Sequence, residues 1–174
     1  MPSEKGNRAA GLVSAAHLAD GAMPALSELE FALTVMGNAF QRWTARCMAA
    51  AGIEGLQPVD ILVLHAANHR GREKSIADIC LMFNIEDTHL VSYAVKKLAA
   101  AGLIAAGRRG KEKTVRASAE GVAACNRYKK VREAILIESV LAMGISPAEI
   151  SKAAGLLHAL SGQYDQAARG AISL

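Results

Sequence analysis

The sequence predicts a mainly α-helical fold with one small β-hairpin, and three observations carry that prediction. Alanine is abundant and aromatic residues make up only 4% of the 174 residues, a composition of helix formers whose small side chains let helices approach closely. Cap signatures recur ahead of apolar runs with a helical period. Only the stretch 103–117 reads as strand-like segments around a glycine-flanked basic loop. With 52% apolar residues the chain can bury a core in one domain with appended helices.

Residues 1–26 are rich in Gly, Ala and Ser without a sustained period and are expected to form a flexible N-terminal arm or a loosely docked helix. "SELE" is a capping box, Ser27 with Glu30, opening an amphipathic helix with Phe31, Val35, Met36, Phe40, Trp43, Cys47 and Met48 on its apolar stripe. Pro58 suits the first turn of a buried helix from 58 to about 68, "VDILVLHAANH". Ser75 with Asp78 caps a short helix, "SIADICLMF", and "NI" makes a tight turn into a helix of about 87–101 that Gly102 stops. Two short helices joined by such a turn form a helix-turn-helix.

Strand segments 103–105 and 113–117 then flank the basic loop, making a hairpin with a charged tip, a wing. Ser118 caps a helix from 119 to Met143, about 37 Å long. Its distal "ILIESVLAM" is too apolar for a solvated tip and asks for a partner. Ser146, Pro147 and Glu149 open a last helix that runs to about Arg169. The expected organisation is an arm at 1–26, an N-terminal helix at 27–57, a helix-turn-helix with hairpin at 58–117 and C-terminal helices at 118–174.

Several classes of function find no support. No stretch reaches about 18 uninterrupted apolar residues, and "AAGLVSAAHLADGAM" is broken by His17 and Asp20, so we expect a cytoplasmic protein with no membrane partner. Cys47, Cys80 and Cys125 form no CxxC pair, which argues against a disulfide framework or zinc ribbon. Cys47, with Arg42 and Arg46 on the same helix, is read either as an inert buried thiol or as an oxidation sensor. His65 and His69 stand one turn apart but lack a third ligand, so no metal is expected, and one buried and one surface histidine is the simpler reading. No nucleophile with an adjacent base appears, no cofactor is implied and no catalytic residue is assigned.

Charge is distributed unevenly. Between His69 and Arg132 stand fourteen basic and six acidic residues, a net of +8 against −4 for the rest of the chain. A basic middle flanked by acidic arms suggests a module that binds a polyanion. In "NIEDTHLVSYAVKKL", Val91, Ala94, Val95 and Leu98 recur at helical spacing and pack, while Asp87 can cap the free N–H groups of the first turn. The opposite arc presents Thr88, His89, Ser92, Tyr93 and Lys96, donors and acceptors suited to base edges in a DNA major groove. Arg70, Arg72, Lys74 and Lys97, with Arg108, Arg109, Lys111 and Lys113 on the wing at about 106–113, are candidate contacts to the DNA backbone or minor groove. A solvated helix face and a solubilising loop tip remain the plainer alternatives for these residues. A protein-interaction adaptor, its basic face turned to an acidic partner, is the competing function.

The order of these blocks resembles the MarR-type winged-helix transcriptional regulators over roughly residues 27–169. The resemblance rests on "SIADICLMFNIEDTHLVSYAVKKLAAAGLI", the basic hairpin and "VRASAEG". The blocks "LSELEFALTVMGNAFQRW" and "HRGREKSIADIC" further resemble a narrower group of predicted bacterial winged-helix regulators. It implies a winged helix-turn-helix core flanked by N- and C-terminal dimerisation helices, a homodimer, and double-stranded DNA with a pseudo-palindromic operator as partner. An unidentified small-molecule effector is left open, and no part of the sequence marks its pocket. One departure stands out. Where the family wing often carries Asp-x-Arg, this chain has Arg109 and Lys111, so the acid that would brace the wing arginine is missing, and either a more mobile wing or one that serves purely as a phosphate contact is expected.

Overall fold

A computed structural model describes residues 22–174 of the chain; residues 1–21 of the expected arm lie outside the described residues. The first helix, α1, spans Pro24–Ala50 and so begins three residues before the cap box at Ser27. Met23 is the N-cap and Pro24 takes the first helical position, where its fixed φ is already helical and its missing N–H costs nothing. Proline thus overrules the local Ser/Glu signature. Helix α2, Pro58–Asn68, starts where expected, with a reciprocal cap between Gln57 and Asp60.

A two-residue strand β1, Lys74–Ser75, leads into α3, Ile76–Phe83, and Asn84 at φ 53° makes the left-handed turn into α4, Thr88–Ala100. The hairpin strands β2, Ile104–Arg109, and β3, Glu112–Ala117, are longer than expected because the ladder continues to the wing tip, pairing Arg109 with Glu112. β1 adds a third antiparallel strand beside β3, in the order β1-β3-β2. Two residues show no period, so this strand left no sequence signal.

Helix α5, Ala119–Arg132, passes through a π-helical turn at Glu133–Ile137 into α6, Glu138–Ala142, and the last helix α7 spans Pro147–Ala171. The expected long helix is therefore one rod with a wider turn inside it. The core lies among α1, α2, α3, α4, α5 and the sheet, where Met48, Ile61, Leu64, Ile79, Val91, Leu98 and Leu103 are buried. The outer helices differ from this core. Phe31, Val35 and Met36 on α1, Leu141 and Met143 at the end of α6, and Ile150, Leu156 and Leu157 on α7 are all exposed. Among the described residues no single helix is long and apolar enough to cross a membrane; Ala119–Ala142 and Pro147–Ala171 reach that composition only as a pair, bent by 101°.

Candidate nucleic-acid interface

Helix α4 buries Val91, Ala94 and Leu98 against the core and turns Thr88, His89, Tyr93 and Lys96 outward, with Tyr93 70% exposed. Its start is fixed by the Asp87 carboxylate, which accepts a hydrogen bond from the His89 backbone N–H at 2.8 Å. Ser92 is half-buried and its hydroxyl donates to the Thr88 carbonyl at 2.9 Å, leaving only acceptor capacity for a base. Leu90, 51% exposed on the same helix, escaped the sequence reading because its apolar character suggested packing. An exposed leucine among polar groups can meet a thymine methyl.

The structure gives two of the expected backbone contacts other partners. Lys97 forms a 2.7 Å ion pair with the carboxylate of Asp60, which is 1% exposed, and also donates to the Gly55 carbonyl at 2.8 Å. Asp60 accepts from the Gln57 backbone N–H as well, so this one carboxylate ties α4 to the start of α2. Lys74 is buried by the pairing of β1 with β3, and its ammonium donates to the carbonyls of His69 and Arg72 at 2.8 and 3.2 Å. Burial pushes its pKa down, against the raising effect of Asp78. Lys74 is enclosed by these contacts, whereas Lys97, with 32% of its side chain exposed, is committed to Asp60 from the surface.

The missing wing acid is replaced from elsewhere. Arg109 pairs with Glu112 across the hairpin at 2.8 Å and with Asp78 at the start of α3 at 3.3 Å. The Ser75 backbone N–H, joined by the Ser75 hydroxyl and Arg109, holds the Asp78 carboxyl below its usual range. The wing tip is therefore tied to its partner strand and to α3 through Arg109, by acids outside the family's usual position. Arg127 is likewise committed, to the Ala51 carbonyl at 2.7 Å and to Glu120 at 2.8 Å. Nine cations of the basic segment remain exposed without a side-chain hydrogen bond or ion pair to another described residue: Arg70, Arg72, Lys96, Arg108, Lys111, Lys113, Arg116, Lys129 and Lys130. Arg116, on the wing strand β3, was not among the expected contacts.

A cavity of about 550 Å³ opens between α1, α2 and α5. His65 lines it, and its Nε2 is buried without a hydrogen-bond partner among the described residues. Its ring stands edge-on to Tyr128, with centroids 4.8 Å apart and planes at 71°. Burial pushes the imidazole pKa down and so favours the neutral ring. Cys47 donates to the Tyr128 carbonyl at 3.6 Å, and burial raises its thiol pKa despite the opposing effects of Tyr128 and Arg132. Cys125 is pushed up to about 11 by burial. These environments suit inert thiols rather than a sensor. Among the described residues no cluster of His, Cys, Asp or Glu could hold a metal ion.

Comparison with known proteins agrees with this geometry. Residues 56–121 match a family model described as a winged helix DNA-binding domain. A MarR family regulator from Neisseria meningitidis superposes with a TM-score of 0.66 at 17% identity, over 82% of this chain and 95% of that one. CouR from Rhodococcus jostii RHA1, bound to p-coumaroyl-CoA, gives 0.63 at 17% identity over 76% and 90%. MarR from Staphylococcus aureus, in complex with salicylate and kanamycin, gives 0.63 at 12% identity over 82% and 93%. No curated protein sequence matches the chain. The chain thus has the fold of the MarR family regulators, built around a segment similar to winged helix DNA-binding domains.

Proposed function

We propose that the protein is a homodimeric, sequence-specific DNA-binding transcriptional regulator. The observation that carries this reading is the pairing of a winged helix DNA-binding domain with nine exposed, uncommitted cations and a polar outer face on α4. α4 enters the major groove, where Thr88, His89, Leu90, Tyr93 and Lys96 meet base edges and Ser92 accepts a hydrogen bond. Arg70, Arg72, Arg108, Lys111, Lys113 and Arg116 contact phosphates or the minor groove, while Arg109 positions the wing. Lys74 and Lys97 are not retained as DNA contacts.

The exposed apolar residues of α1, α6 and α7 support assembly with a second copy, whose two-fold axis matches a palindromic operator. Leu156→Asp combined with Leu157→Asp is expected to give a monomer in sedimentation equilibrium and to weaken duplex binding at least about a hundredfold, since a single half-site then holds the protein. An unchanged dimer would place the interface elsewhere.

Titration of a bound promoter duplex against salt tests the reading. If about six phosphates are neutralised, log K should fall with log salt at a slope near −5. A flat slope, or equal affinity for a scrambled duplex, would count against a regulator and favour the adaptor. Within the site, Lys113→Ala is expected to weaken all duplexes alike, whereas Tyr93→Ala should change which sequence is preferred, by about 1–3 kcal/mol at one base pair. The opposite pattern would exchange their roles.

The cavity between α1, α2 and α5 supports control by a small-molecule effector. α2 lines it with Val59, Leu62 and His65 while its Asp60 grips Lys97 on α4. A ligand that shifts α2 against α1 would thereby shift the DNA-reading helix.

A further inference from the structure

We propose that Lys74 is a positioning residue: its buried ammonium locks the turn at residues 69–72 into a preformed loop that holds Arg70 and Arg72 for DNA phosphates. The inference rests on the DNA-binding reading above and names a device behind that contact. Lys74 is 8% exposed, and its Nζ donates to the His69 and Arg72 carbonyls, at the two ends of the turn, at 2.8 and 3.2 Å. It forms no ion pair with a described residue. An ammonium withdrawn from water without a carboxylate is costly, and an apolar side chain of similar length would fill the same place in the sheet without that penalty. What the charge adds is closure of the turn.

The turn itself is strained. Arg70 (φ 58°, ψ 17°) and Gly71 (φ 60°) are consecutive left-handed residues. Among the described residues only Arg70 and Asn84 take a positive φ without being glycine. Asparagine visits this region readily, whereas arginine has no short polar group to offset the strain. A second glycine would make the same turn freely, so a strained arginine here marks a side chain that is needed for binding. Arg70 and Arg72 are both exposed, and neither forms an ion pair with a described residue. Downstream the loop is fixed to the wing. The Thr114 hydroxyl donates to the Glu73 carboxylate at 2.8 Å, beside Gly107, where a Cβ would stand 2.7 Å from that carboxylate. Lys74 itself pairs with Val115. The backbone that carries both arginines is therefore set relative to the wing before DNA arrives, and binding need not order it.

The test is fluorescence anisotropy of the full-length protein with a labelled, mixed-sequence DNA duplex over a range of salt concentrations. Phosphate contact is independent of sequence, so no operator is needed. Lys74→Met keeps the unbranched stem and removes the ammonium. It is expected to weaken binding at low salt about tenfold and to make the slope of log K against log salt shallower by about 1–2, the share of one or two phosphates. A fold merely loosened loses affinity by a similar factor at every salt concentration and keeps its slope. Arg70→Ala with Arg72→Ala should give a comparable change, and adding Lys74→Met to that pair should remove little more. Arg70→Gly should make the slope shallower by about 1 while the thermal midpoint stays or rises.

A slope unaltered by Lys74→Met, an equal further loss when it is added to the arginine pair, or a thermal midpoint lowered by Arg70→Gly would overturn the inference and leave the DNA-binding reading standing. If Lys74→Met does not fold, backbone relaxation of the unaltered protein, free of DNA, decides. Order parameters near about 0.85 at Arg70, Gly71 and Arg72 support a preformed loop, and values below about 0.6 refute it. An unaltered protein that binds no duplex at any salt concentration would overturn the regulator, and the positioning role with it.

Discussion

Gly121→Ala is expected to destabilise the protein by about 3 kcal/mol or more, enough to unfold much of the population of a marginally stable domain. A Cβ at this position would stand 1.9 Å from the Leu103 carbonyl oxygen, a backbone atom that cannot move aside alone. The same carbonyl accepts the Ser118 N–H at 3.0 Å, and the Ser118 hydroxyl bridges the Gly102 carbonyl and the Gly121 N–H at 2.6 and 3.0 Å. Start of α5 and end of α4 are thus one small network. Helix propensity alone gives the opposite sign, since alanine is favoured over glycine by about 1 kcal/mol. Urea denaturation separates the two: a large drop in midpoint supports the close approach of α5 to Leu103, and an unchanged or raised midpoint would refute it.

Asp60→Ala should cost nearly as much, about 2–4 kcal/mol, because it leaves the Lys97 ammonium and the Gln57 N–H without their shared partner. Lys97 keeps about a third of its side chain in water, which places the loss below that of a fully buried pair. Lys97→Met should be destabilising too, but adding it to Asp60→Ala should recover much of the deficit, since the uncompensated cation is removed. Additive losses in that double-mutant cycle would show that the pair is not coupled. Duplex affinity for Lys97→Ala should follow the loss of folded protein rather than the loss of a phosphate contact.

These two sites mark where the sequence could be read and where it could not. Ser75 with Asp78, Asp87, Ser118 and Ser146 with Glu149 were legible as caps because each closes its hydrogen bond within three residues. Ser27 offered the same signature but lay downstream of Pro24, and the earlier start prevailed. Lys97 looked like one of two lysines at a helix end; its partner Asp60 stands 37 residues away, and no local pattern links them. Lys74 is a similar case, since neither its burial nor its place opposite Val115, 41 residues on, has a local pattern. The acid that braces Arg109 was sought at the family's usual spacing, yet the hairpin register supplies Glu112 and the fold supplies Asp78. His65 was read as one member of a pair with one buried histidine, but the cavity it lines is assembled from three helices. The polar face of α4 was legible from period alone, except Leu90, whose exposure only the packing revealed.

The central claim is that two copies of α4 read a duplex by its sequence. Incubating the purified protein with fragmented genomic DNA at physiological salt, then sequencing what it retains, tests this most directly. We predict enrichment of a few fragments that share an inverted repeat with half-sites about one helical turn apart. Retained DNA no different from the input, or enriched fragments with no common repeat, would contradict the account.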